Sequence, residues 1–458
     1  MVCVSLLTFS SCEDFLNEVK GPTAKIESKV MFADDVTAAA AITGIYQTMV
    51  DLPAYSSGSS NSITYLAGLS SDELISFYRT DVIINEIEEN KISTKNTYIL
   101  GLWGSMYKIM YAANAAISKI EASTGMTPNA KQQLTGEALF IRAMTHFYLV
   151  NIFGNVPLVT TTSYDENSKI SRTSESQVYD QILLDLVKAR DLMMENYPTT
   201  ERVRPNKATA SALLARVYLY KKEWKLAVDE ASKILDQTGV YQLAPDLNSV
   251  FLSNSTEAIW QIQPSTPNFN TWDGYYFVIS PWLGPMYVSL RNEFISSFED
   301  DDQRLTAWVG TYDTGSETLF YPFKYKADLF APSTTEYSVI FRLAEIFLIR
   351  AEAHAMLGNL PSAISDIDKI RTRAGLSSIA DTNSGISQEA LLNVIYHERK
   401  TELFTEWGHR WFDLKRLGTA TAELSTLKPN ITENDLLYPV PEAEILRNTK
   451  LLPQNKGY

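Results

Sequence analysis

The chain of 458 residues is 45% apolar and 21% charged, with only 20 glycines and 18 prolines, a balance that excludes a disordered or collagen-like polymer for most of its length. At about 150 residues per domain it has room for up to three domains, or for one large unit built from repeats. Its 40 basic and 54 acidic side chains leave a net charge of −14, which repels a phosphate backbone and argues against nucleic acid as a partner.

Residues 1–11 are uncharged, are too short to span a bilayer, and run into Cys12, Glu13 and Asp14. The run Phe9-Ser10-Ser11-Cys12 resembles the end of a bacterial lipoprotein signal, in which the cysteine becomes the lipidated first residue of the mature chain. The basic stretch that opens such a signal is missing, so a start upstream of Met1 is expected. Two cysteines supply neither a disulfide framework nor a zinc site, so packing must provide the stability.

Apolar positions recur at helical spacing over 34–50, 98–122, 131–153, 175–196, 207–237, 336–374 and 388–416, which predicts helices there. Strand patterns are few and short. The loop-like stretch 51–97 carries Tyr55, Tyr65, Phe77, Tyr78 and Arg79 close to Asp72 and Glu73. Helices 98–122 and 131–153 are expected to pair, with Trp103, Tyr107 and Asn114 on the first and Phe140, Arg142, His146 and Tyr148 on the second. Further on, Ala215 precedes Ala227 by twelve positions across a short polar turn, and Ala351 precedes Ala363 in the same way. Small residues so placed let two antiparallel helices cross closely, the tetratricopeptide-type pattern, and Tyr218 and His354 share the slot where that repeat packs an aromatic. Between the repeat-like segments, residues 238–335 show no sustained period and read as a loop-rich insertion. From Ser265 to Phe330, 16 of 66 residues are aromatic, against 11% over the whole chain, which marks this stretch as more than a connector. The expected fold is therefore mainly α, with a helical-repeat scaffold at about 34–237 and 336–416 carrying an aromatic-rich insertion.

Several runs resemble the SusD/RagB-type outer-membrane nutrient-binding lipoproteins. They include Glu137-Ala-Leu-Phe-Ile-Arg-Ala-Met-Thr-His-Phe-Tyr with its exit Phe153-Gly-Asn-Val-Pro-Leu, and Phe341-Arg-Leu-Ala-Glu-Ile-Phe-Leu-Ile-Arg-Ala-Glu-Ala. Ile370-Arg-Thr-Arg-Ala-Gly-Leu, Glu398-Arg-Lys-Thr-Glu-Leu-Phe-Thr-Glu-Trp-Gly-His-Arg-Trp-Phe-Asp-Leu-Lys-Arg and the ending Leu452-Pro-Gln-Asn-Lys-Gly-Tyr complete the set. Lys456 and Thr449 stand where that family usually has proline. The resemblance covers nearly the whole chain and implies one SusD-like domain from Cys12 to Tyr458. It also implies a lipid-anchored protein on the cell surface, at the outer membrane, that captures oligosaccharides, or in some members peptides. Its partner would be a SusC-like TonB-dependent channel, with membrane contact through the lipid alone and no cofactor.

Sugar rings expose flat C–H patches edged by hydroxyls, so a site for them combines rigid aromatic faces with polar side chains at the rim. The candidates are Tyr65, Phe77, Tyr78 and Arg79 in the first loop and Trp272, Asp273, Tyr275, Tyr276 and Trp282 in the second. Trp308 is a weaker choice, since it can pack beneath the run 292–298. Carboxylate pairs for glycoside hydrolysis could be drawn from Asp72, Glu73 and Glu299 to Asp302, but a run of acids reads first as a solvated turn, and Asp302 with Arg304 as a structural pair. His397-Glu398 is not a zinc-protease motif because Thr401 takes the place of the second histidine. No nucleophile elbow or phosphate loop is present, so no catalytic or metal-binding residue is expected, and binding is the better reading. A repeat scaffold that binds only protein partners is the remaining alternative.

Overall fold

A computed structural model describes residues 31–51, 60–77, 80–279, 287–327 and 331–458. Cys12, Tyr78, Arg79 and Trp282 lie outside the described residues. Helices dominate. In chain order the longer ones are α1 (Asp35–Asp51), α2 (Ile63–Ser70), α3 (Val82–Glu88), α4 (Thr97–Ala122), α5 (Pro128–Phe153), α6 (Glu175–Leu192), α7 (Lys207–Tyr220) and α8 (Trp224–Leu235). The single-turn α9 (Trp272–Phe277) follows, then α10 (Leu343–Met356), α11 (Leu360–Arg373), α12 (Gln388–Glu402) and α13 (His409–Leu417). Their starts are written locally: Asn96, Thr127, Ser174, Asn206 and Ser387 each accept a backbone N–H of the first turn, and Pro128 takes the first helical position of α5.

The helices pack as successive pairs, α4 on α5, α5 on α6, α7 on α8 and α10 on α11, with α10 also against α8 and α12. Ala215, Ala227, Ala351 and Ala363 are all fully buried, as close helix crossings require. Tyr218 packs against the core, while His354 is half-buried and burial lowers its pKa. Buried ion pairs tie the pairs together. Arg142 grips Asp185 with two bonds of 2.7 Å between α5 and α6, and Arg216 holds Glu345 at 2.6 and 2.7 Å between α7 and α10. At the end of α5, Gly154 turns the chain with φ +71°, a left-handed conformation that glycine adopts without strain, and its N–H caps Val150. The carbonyl of Phe153, just before it, accepts the Asn455 side-chain amide, so the C-terminal run closes onto this turn.

One predicted helix is shorter than its periodicity suggests. Residues 338–342 form a strand, β8 (Ser338–Arg342), paired antiparallel with β4 (Ala258–Ile262), and α10 begins only at Leu343. Ser-Val-Ile-Phe is a β-branched and aromatic run whose partner strand is buried along its whole length, so tertiary pairing outweighs the helical period. The short strands β2 (Val156–Pro157) and β3 (Arg172–Thr173) pair with each other after α5, and the insertion contributes to a four-stranded sheet in the order β1 (Leu74–Ser76), β5 (Val288–Leu290), β7 (Thr318–Pro322) and β6 (Val309–Asp313). The pairing of Leu74 with Leu290 and Ser76 with Val288 brings the first loop region against the second.

Candidate functional site

Helix α9 carries most of the second-loop candidates and is fixed from below. Thr271 caps it by accepting the Gly274 N–H at 3.1 Å, and Asn270 accepts the backbone N–H groups of Thr335 and Glu336 at 2.9 and 3.1 Å. A Cβ at position 274 would sit 2.7 Å from the Ala327 carbonyl oxygen, so only glycine lets the helix lie this close to the neighbouring chain. Phe277 turns inward and stacks on Tyr65 with centroids 6.3 Å apart and planes 3° from parallel. Tyr65 and Asp273 are therefore buried, at 0% and 2% exposure, and present no face to a ligand. An amphipathic period explains both: on a single turn of helix, Asp273 and Phe277 fall on the inner side and the other rings on the outer.

Trp272, Tyr275 and Tyr276 remain partly exposed and form one cluster, with centroids 5.1 to 6.0 Å apart. Tyr287 extends it, 4.8 Å from Tyr276, and the carbonyl of Tyr287 accepts the Phe77 N–H at 3.1 Å. The partly exposed Phe77 is thus the described first-loop candidate that reaches the site. Tyr287, Ser60, Tyr98 and Asp81 were not among the candidates named from the sequence. The Ser60 hydroxyl lies beside the phenols of both Tyr276 and Tyr98, and Asp81 lies close enough to Tyr98 for its charge to be felt. Burial raises the pKa of both tyrosines, which keeps them neutral donors at any physiological pH. Tyr98 is the second residue of α4, whose first turn Asn96 caps, and an aromatic in the exposed first turn of a helix was the available signal. Rings meeting at 40° to 85° make a faceted surface, edged by Ser60 and Asp81.

The other candidates belong to the interior. Trp308 is fully buried, donates its Nε1–H to the Leu247 carbonyl at 2.9 Å, and has the Lys324 ammonium 4.8 Å from its ring centroid. Three of the carboxylates considered for hydrolysis are held by cations: Asp72 by Arg410 at 2.8 Å and Lys400 at 3.0 Å, Glu299 by Arg371 at 2.6 Å, Asp302 by Arg304 at 2.7 Å; Asp300 and Asp301 lie exposed on the turn between them. Among the described residues no group of three or more His, Cys, Asp or Glu side chains could hold a metal ion.

Glu73 behaves differently. Burial first, and the neighbouring Asp72 charge second, push its pKa up to about 8, with the Thr405 N–H opposing. The folded state then binds a proton that the unfolded state releases above about pH 4.5, so stability falls as pH rises from there to about 8. Glu73→Gln, which keeps the shape of the neutral acid, should match the parent protein at pH 5 and melt a few degrees higher at pH 8. Thermal melts of both proteins across that range measure the difference, and identical pH profiles would contradict it.

Two family models match the chain: "Starch-binding associating with outer membrane" over residues 20–219, and "SusD family" over residues 313–458. Together they span about three quarters of it, and the chain belongs to the SusD family, whose members bind carbohydrate. SusD-like protein P2 of Formosa agariphila is 28% identical over 99% of this chain and 98% of its own. A SusD superfamily protein from Bacteroides vulgatus superposes with a TM-score of 0.81 at 20% identity, covering 93% of this chain and 100% of that one. A laminarin-binding SusD-like protein superposes at 0.75 with 22% identity, covering 92% and 99%. These likenesses establish the tetratricopeptide-like helical fold.

Proposed function

We propose that this protein captures oligosaccharides or polysaccharide fragments at the cell surface and passes them to a TonB-dependent outer-membrane channel, breaking no bond itself. The observation that carries the reading is the partly exposed cluster of Trp272, Tyr275, Tyr276 and Tyr287, edged by polar groups, in a chain of a carbohydrate-binding family. Faceted rings suit a chain that bends around them, since each sugar must present a C–H face to a differently inclined plane. A laminarin-binding protein of the same fold supports a glycan ligand. The engagement of Asp72, Glu299 and Asp302 by cations supports binding without hydrolysis.

In this reading Cys12 carries the lipid that holds the protein at the outer membrane; among the described residues no helix is long and apolar enough to cross a membrane. Release for import requires modest affinity, micromolar to millimolar, the range that a few stacking contacts give against the cost of ordering the ligand. The test is a glycan array that includes laminarin, probed with the purified protein alongside an oligopeptide library. Binding to one class of glycan is the expected result, and binding to peptides alone would overturn it.

A further inference from the structure

A cavity of about 580 Å³ opens beside the aromatic cluster, within the roughly 300–1,000 Å³ usual for small-ligand sites. Its walls come from α1, from the segment before α7, and from the turn that follows β4. Ile262 and Pro264 line both this cavity and the narrow cleft that Trp272 shares with Val50 and Trp407, so the cavity and the aromatic surface have a common wall.

The floor is rigid. Glu137, fully buried, accepts from the Tyr46 hydroxyl at 2.7 Å, from the Gln133 amide at 2.9 Å and from Arg204 at 2.5 and 3.2 Å. Arg204 thus spends its Nε and one Nη on Glu137, while its other Nη makes no hydrogen bond among the described residues. The side chains of Gln47, Glu201 and Gln263, on three separate walls, also make no hydrogen bond among the described residues. Donors and acceptors are therefore free to point into one cavity, whose remaining surface includes Pro264 and Pro267. This is the mixture that a sugar ring needs, hydroxyl partners around its edge and apolar contact on its face. The sign of charge narrows the class further. Of the charged residues that line it, Arg204 is paired with Glu137, and the Glu201 carboxylate makes no ion pair among the described residues, which makes the cavity unfavourable for a uronate or a sulfated sugar.

We propose that this cavity is a second subsite, taking a neutral sugar residue of the same chain that stacks on Trp272, Tyr275 and Tyr276; it rests on the glycan-binding reading above. Its consequence is selection by length, because only a chain that reaches over the shared wall of Ile262 and Pro264 engages both places.

Calorimetric titration of the purified protein with length ladders tests this, using laminari-, cello-, xylo- and manno-oligosaccharides as neutral probes and alginate oligosaccharides as acidic ones. The expected result is a step of about tenfold in affinity at one chain length within a neutral ladder, and no step within the alginate ladder. Gln263→Trp, which fills the cavity from an exposed position, should abolish the step and leave the shortest bound oligomer unaffected. Gln47→Ala combined with Glu201→Ala should reduce it without adding bulk. A step that survives both sets of substitutions, or that is absent from the parent protein, overturns the subsite. An equal step with alginate overturns its neutral class. Binding that ignores Trp272→Ala yet loses its length step in Gln263→Trp overturns the aromatic reading alone, and no binding by any ladder overturns both.

Discussion

Replacing Arg342 by methionine should cost about 3–5 kcal/mol of stability, the typical loss when one partner is removed from a buried ion pair. Arg342 is 2% exposed and serves three carboxylates: Nε donates to Glu406 at 2.7 Å, while Nη1 reaches Glu257 at 2.9 Å and Glu402 at 2.5 Å. Its Nη2 also holds the Glu402 carbonyl at 2.8 Å. The remaining cations nearby, Lys324, Arg304 and Arg373, already have their own partners in the same group of acids, so none can fill the gap. Burial by itself would raise the pKa of Glu402 and Glu406, yet Arg373, Arg342 and Arg304 around the first, and Arg342 with Lys324 around the second, hold both below the usual carboxylate range. Depressed carboxylates contribute stability that is complete above about pH 4.5 and lost as pH falls through their folded values. The variant should therefore unfold at lower denaturant concentration at pH 7 and lose its fold at a higher pH during acid titration. Circular dichroism in urea and along a pH series measures both, and unchanged midpoints would contradict the argument. Because Lys324 lies in the same stretch as Ala327, against which α9 rests, glycan binding should weaken along with stability.

The second large effect separates binding from folding. Trp272→Ala, Tyr275→Ala and Tyr276→Ala together remove three partly exposed rings while leaving the Phe277–Tyr65 stack and the Thr271 cap in place. Aromatic anchors that a ligand covers are worth about 1–2 kcal/mol or more each, and every 1.4 kcal/mol is tenfold in affinity. A loss of about a hundredfold or more is expected, enough to abolish retention in polysaccharide-loaded gels, with the melting temperature changed by only a few degrees. Retention equal to the parent protein on every polysaccharide it binds would remove these rings from the site.

The motifs that carry the family resemblance prove to be mostly structural. In Phe341-Arg-Leu-Ala-Glu-Ile-Phe-Leu-Ile-Arg-Ala-Glu, Glu345, Arg350 and Glu352 form ion pairs between helices, and Arg342, at the end of β8, pairs with Glu402 at the end of α12. In the run from Glu398 to Arg416, Arg399 pairs with Asp413 at 2.8 Å, Arg410 with Asp72 at 2.8 Å, and Arg416 with Glu352 at 2.5 Å. Such pairs fix how helix follows helix, because a buried charge tolerates one register of its partner and penalises the others. The runs that identify the chain are thus distinct from the rings that would bind a ligand.

What the sequence determined by itself was the helical scaffold and its tight crossings, since a 3.6-residue period and paired alanines such as Ala215 and Ala227 are local signals of packing. It also located the aromatic excess between Ser265 and Phe330. What only the tertiary structure decided was which of those rings face outward. Trp308 is interior, as are the Tyr65 ring and the Asp273 carboxylate, whereas Tyr98 and Tyr287, far apart along the chain, meet the same cluster beside Ser60 and Tyr276. The physical reason is that an aromatic side chain gains as much from a core as from a ligand, and its choice depends on what the pairing of β1 with β5 and the seating of α9 bring against it.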